Sequence, residues 1–111
     1  MSYEYRLVFD DAVSPKHLMD SLRSSDACVK ARTMAREVWL KDREQQTSAE
    51  YDARLIQESD MSLWLEVNFR SPNLDHLMQG ALGTGVVRCF EDGDQDDEVT
   101  LKEAFRIKKG G

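Results

Sequence analysis

The chain is short of most residues that reactive or stapled proteins carry. Its two cysteines, Cys28 and Cys89, are too few for a disulfide framework, which points to a reducing cytoplasm. No apolar run approaches the roughly 20 residues of a membrane span. The opening Met1-Ser2-Tyr3-Glu4 lacks a signal-peptide pattern, so no membrane partner is expected. There is no glycine-rich phosphate loop, no serine elbow and no pair of catalytic carboxylates. Catalysis is therefore not expected, and no cofactor is implied. Positive charge is also scarce: 15 Lys and Arg stand against 21 Asp and Glu, a net charge of −6. Free nucleic acid is a poor partner for such a surface, because phosphate binding wants clustered Lys and Arg.

What is present suits one domain spanning residues 1–111. Apolar residues make up 41% and charged ones 32%, a composition that can bury one modest core. The charge imbalance is local. Glu91, Asp92, Asp94, Asp96, Asp97 and Glu98 lie in one eight-residue stretch without a base, and the other 15 acids match the 15 bases. A basic protein surface, or a hard cation, is the natural counterpart of that stretch. These six acids are the candidate partner-binding residues.

Tyr3, Tyr5, Leu7 and Phe9 alternate with polar neighbours and predict a strand that ends at Asp10-Asp11. Ser14-Pro15 then predicts a helix, with Ser14 as N-cap, Pro15 at the first helical position and a stripe of Leu18, Met19 and Leu22. The pattern returns later. Leu63, Leu65, Val67 and Phe69 read as a strand buried on both faces. Ser71-Pro72-Asn73 caps a helix running to about Leu82, and Val86–Phe90 reads as a further strand. His-Leu-Met occurs early in each helix, at 17–19 and at 76–78, a sign of internal duplication.

Residues 28–43 read two ways. Ala27, Cys28, Ala31, Met34, Ala35, Val38 and Trp39 fall on one helical face, whereas Val29, Ala31, Thr33 and Ala35 alternate as a strand. Periodicity alone favours the helix, and duplication tips the balance slightly to strand. Glu44–Glu50 is a polar connection and Tyr51–Glu58 a short strand or helical turn. Val99, Leu101, Glu103, Phe105 and Ile107 alternate as a last, exposed strand. Together these elements predict an α+β fold: a ferredoxin-like antiparallel sheet with two helices on one face and an extra C-terminal hairpin.

Several motifs point to chemistry. Residues 92–103 resemble the calcium loop of EF-hand proteins, with Asp92, Asp94 and Asp96 at the first, third and fifth places and Glu103 at the twelfth. Asp97 stands where that loop needs glycine, and strands flank it where helices should, so a solvated hairpin tip is the preferred reading. His17, His76, Cys28 and Cys89 occupy related places in the two halves. None is within two to four residues of another, so no structural zinc site is expected; they read as packing residues. Gly110-Gly111 resembles the tail of ubiquitin-like and sulfur-carrier proteins, but the β-grasp hairpin is missing and a frayed end is preferred. Residues 23–43 carry a net +3 and read as a solvated basic stripe. Trp39 and Trp64 read as core.

In size, acidity and α+β layout, carried by the Glu91–Glu98 acids, the chain resembles the small immunity proteins of bacterial polymorphic toxin systems, including those of contact-dependent growth inhibition. The resemblance implies a non-enzymatic cytoplasmic inhibitor that binds one toxin domain, often a nuclease with a basic cleft. Two other readings stay open: a phage-encoded mimic of nucleic acid and a diglycine-tailed carrier. A homodimer through exposed sheet edges is a further expectation.

Overall fold

In a computed structural model, residues 3–32, 34, 36–83 and 85–105 are described. The elements in chain order are β1 (Tyr3–Phe9), α1 (Val13–Arg23), β2 (Cys28–Arg32), β3 (Glu37–Leu40), β4 (Ala53–Gln57), β5 (Ser62–Val67), α2 (Pro72–Leu82), β6 (Val87–Glu91), β7 (Glu98–Val99) and α3 (Leu101–Ala104). The strands form one sheet in the order β2-β3-β4-β5-β1-β6-β7, antiparallel at every junction. The expected α+β class with an antiparallel sheet is what the chain adopts. The sheet is wider than expected, because residues 28–40 supply a whole hairpin, β2–β3, on its flank.

Strand alternation divides the sheet into two faces. Tyr5, Leu7 and Phe9 of β1, Leu63, Leu65 and Val67 of β5, Val38, Leu40, Ala53, Leu55 and Cys89 are buried on the inner one. Leu18, Met19 and Leu22 of α1 and Leu74 and Met78 of α2 join the same apolar cluster, and the two helices touch each other. An amphipathic stripe needs such a partner, since helices of this length gain most of their stability from packing.

The helix starts differ from one another. α2 has Ser71 as N-cap, its hydroxyl accepting from Leu74 N at 3.0 Å, and Pro72 at the first helical position. α1 corrects the expectation for Ser14 as N-cap and Pro15 as first helical residue, since they are the second and third residues of the helix. Asp11 does the capping, its Oδ1 accepting from Val13 N at 2.9 Å and Ser14 N at 2.6 Å, while Ser14 Oγ donates to Oδ2. A carboxylate is the stronger acceptor for free N–H groups at the positive end of a helix. Hydrogen bonds from Ser14, and then from Val13, hold its pKa below the usual value.

The expected C-terminal strand is also corrected. Only Glu98 and Val99 pair with β6; α3 follows, with Thr100 as N-cap. Thr100 Oγ1 accepts from Glu103 N and Glu103 Oε1 accepts from Thr100 N, both at 3.1 Å, which closes a capping box. Leu101, Ala104 and Phe105 are buried against the inner face. Burying that face outweighs extending an edge strand by a few residues. Ile107 and Gly110-Gly111 lie outside the described residues.

Candidate functional site

The outer face of the sheet contributes no side chain to the cluster the helices join. Cross-strand register lays its residues in two rows. One runs Arg32, Glu37, Ile56, Trp64, Arg6, Phe90, Glu98 from β2 to β7; the other runs Lys30, Trp39, Arg54, Glu66, Glu4. Cations stack on rings throughout. Arg6 lies 5.4 Å from the Trp64 ring centre, Lys30 4.6 Å from Trp39, Arg54 5.4 Å from Tyr51 and Arg88 5.1 Å from Phe90. Carboxylates tie the rows together. Glu4 accepts from Trp64 Nε1 at 3.0 Å, Glu66 from Arg54 at 2.7 Å and from the Tyr51 hydroxyl at 2.9 Å, and Glu58 from Arg6 Nε at 2.9 Å. The long side chains thus hold one another in place, a half-buried carpet of aromatic and guanidinium groups.

Trp39 and Trp64 belong to this face and not to the core, which corrects their sequence reading. Each alternates with core residues, Val38 and Leu40 or Leu63 and Leu65, and the alternation alone does not say which face the helices cover. The basic stripe at 23–43 is also corrected, because the fold splits it up. Lys30 and Arg32 stand on the outer face, Arg23 pairs with Asp20, Lys41 donates to the carbonyls of Thr47 and Ala49, and Arg43 donates to the Asp26 carbonyl.

Five of the six acids meet this face at one end; Glu91, paired with Tyr5, stands on the inner side of the sheet. Asp92, Asp94, Asp96 and Asp97 form the exposed tip of the β6–β7 hairpin, and Glu91 and Glu98 are its shoulders. Backbone bonds fix the tip: Glu91 N to Asp97 O, Asp97 N to Asp94 O, and Asp92 N to Glu4 O. Asp94 Oδ1 accepts from Asp96 N at 2.9 Å. Asp92 and Gly93 both have positive φ, 54° and 76°, and Gly93 lies flat against Arg6 and Trp64. A Cβ there would sit 3.1 Å from Arg6 Nη1 and 3.3 Å from the Trp64 ring. Glu98 is spoken for by Arg88 at 2.8 Å, which lowers its pKa. No ion pair is formed by Asp92, Asp94, Asp96 or Asp97 among the described residues.

The remaining candidates are dispersed. His17 and His76 are on separate helices and are not packed in the core as expected; Cys28 is half-buried and Cys89 buried. Burial, with Glu103, Glu91 and Glu98 nearby, pushes the Cys89 thiol up to about 12. Among the described residues no group of three or more His, Cys, Asp or Glu is placed to hold a metal ion, and no helix is long and apolar enough to cross a membrane. Glu103, the twelfth position of the calcium-loop resemblance, is engaged at the start of α3. No family model, curated protein or solved structure matches this chain, so its site is read from its own geometry and charge.

Proposed function

We propose that the chain is a non-enzymatic, cytoplasmic binding protein that neutralises a cognate bacterial toxin domain, a nuclease with a basic cleft, by one-to-one association. The observation that carries this reading is the pinned acidic hairpin. Its four exposed carboxylates form no ion pair among the described residues and are held beside a face of Trp and Arg side chains. A basic cleft attracts phosphate, and carboxylates on a fixed turn occupy the same potential. Charge of this kind speeds encounter and rejects wrong partners, while desolvated Trp, Tyr and Arg supply most of the affinity. Trp64 and Arg6, adjoining Gly93, are therefore added to Glu91, Asp92, Asp94, Asp96, Asp97 and Glu98 as contact residues. The strands β6-β1-β5-β4 with α1 and α2 form, in this reading, a ferredoxin-like core into which β2–β3 is inserted.

The test is capture of partners by the tagged chain from its source, at low and moderate salt, with each bound protein expressed alone. A stoichiometric basic protein that is toxic by itself and harmless when co-expressed supports the reading. Replacing Asp92, Asp96 and Asp97 with Asn or Ser then weakens that complex about tenfold or more and flattens its salt dependence. An adenylating enzyme on the beads, or a complex indifferent to the triple replacement, overturns it.

A further inference from the structure

The outer face is electrically lopsided. Lys30 and Arg32 mark its β2 side. Among the described residues Lys30 meets the Trp39 ring and no carboxylate, and Arg32 reaches Glu37 at 3.8 Å. The four acids of the hairpin tip, without an ion pair among the described residues, mark its β6–β7 side. Between them Arg6 pairs with Glu58, Arg54 bridges Glu37 and Glu66, and Glu4 accepts from Trp64. The middle strand of the seven is β5, with three strands on either side, and it carries Trp64. At about 4.8 Å per strand Lys30 and Arg32 on β2 lie almost 30 Å from Asp97 beside β7, while the turn at Gly93 reaches inward over Arg6 and Trp64. Even the nearer acids are several strands from β2, beyond the roughly 8 Å over which physiological salt lets charges attract within one chain.

We propose that this face binds a second copy of the chain, face to face, about a two-fold axis between the sheets that runs along β5. Rotation about that axis exchanges the two sides. Lys30 and Arg32 of each copy then lie over the β7 side of the other copy's acidic hairpin, and the two Trp64 side chains, each with its own Gly93 turn beside it, face one another at the centre. The interface is self-complementary, as a two-fold contact requires. Aligned packing of two sheets places them about 10 Å apart, a spacing that half-buried Trp and Arg side chains fill. A dimer through the β2 edges would instead bring Lys30 and Arg32 of both copies together, like charge against like. The face-to-face dimer does not depend on the proposed toxin partner, and it goes beyond it.

Sedimentation of the purified chain across micromolar to millimolar concentration tests the arrangement. A dimer is expected at low salt, with its dissociation constant rising about tenfold or more when the salt is made high enough to screen surface charge. Lys30→Glu with Arg32→Glu makes one flank acidic like the other, and Asp96→Lys with Asp97→Lys leaves the tip with two acids against two bases, so that it no longer attracts Lys30 and Arg32; each variant alone is monomeric. Mixed in equal amounts, the two form a heterodimer, because the intact acidic tip of one again meets the intact Lys30 and Arg32 of the other. The second pair leaves Asp94 and the positive-φ Asp92 untouched, and Lys30→Gln with Arg32→Gln gives the same loss of dimer should charge reversal disturb folding. A wild-type chain monomeric at every concentration and low salt overturns the proposal, as do charge-reversed variants that stay dimeric alone or fail to pair when mixed.

Discussion

At the scale of single residues, Gly93 is where the hairpin is keyed to the face. Its φ of 76° and the contacts a Cβ would meet, with Arg6 at 3.1 Å and Trp64 at 3.3 Å, leave no easy place for a side chain. Gly93→Ala is expected to destabilise the fold by about 1–2 kcal/mol through backbone strain and displacement of the ring. Gly80 makes the contrast: it sits within α2, and a Cβ added there would meet nothing within 4 Å. Gly80→Ala should stabilise by about 0.5–1 kcal/mol, as alanine does in a helix interior. Urea unfolding of the two variants checks both signs, and equal effects would show that Gly93 is not pinned. The two thiols differ for an equally local reason. Cys89 is 1% exposed with its pKa at about 12, while Cys28 is half-buried at the start of β2. A thiol reagent at neutral pH should label one cysteine per folded chain, Cys28, and two after denaturation.

At the scale of elements, a buried carboxylate joins α2 to the loop after β3. Asp42 is 3% exposed and accepts from Ser71 Oγ at 2.7 Å, Asn73 Nδ2 at 3.1 Å and Glu44 N at 3.1 Å. Burial works against its ionisation, yet the hydrogen bonds from Ser71, Asn73 and the backbone outweigh it, and its pKa lies below the ordinary value. The sign follows directly. The unfolded chain takes up this proton first as pH falls, so the stabilisation is present above the unfolded carboxylate range and is lost through the folded pKa below it. Asp42→Ala should cost about 2–3 kcal/mol at neutral pH by leaving those donors unpaired. Between pH 7 and pH 3, Asp42→Asn should lose less stability than the parent chain; an equal loss would place the acid sensitivity elsewhere. Elements differ in how far their sequence announces them. β1, α2 and β5 declare themselves by clean alternation or by Ser71-Pro72. The β2–β3 hairpin does not, because residues 33–36 between its strands include no Gly, Pro or Asn, although Arg36 takes a φ of 50°. Periodicity at 28–43 therefore favours helix, the duplication alone tips it to strand, and neither gives a sign of the reversal that makes two strands of it. Leu101, Ala104 and Phe105 fit helical spacing as well as Val99, Leu101 and Phe105 fit a strand, and Thr100-x-x-Glu103 is the signal that decides between them.

At the scale of the whole molecule, the acidic tip is legible from charge alone, whereas its neighbours Arg6, Trp39, Trp64 and Arg54 are not. They come from four strands distant in sequence, and only the strand order brings them onto one surface. That surface has two proposed occupants, a second copy and a basic partner, and both need Asp96 and Asp97. They must therefore compete. With the chain at ten times its own dimer dissociation constant, only about one fifth of it is monomeric, so a partner restricted to the monomer binds about fivefold more weakly than its intrinsic affinity. The Lys30→Glu, Arg32→Glu variant, held monomeric with its acidic tip intact, should recover that factor and show an affinity independent of its own concentration. Asp96→Lys with Asp97→Lys should lose the partner as well as the dimer. Titration of the partner into each chain, followed by sedimentation, separates these outcomes. Should the first variant bind the partner more weakly than the parent does, the partner also reaches Lys30 and Arg32, and the acidic tip alone does not define its footprint.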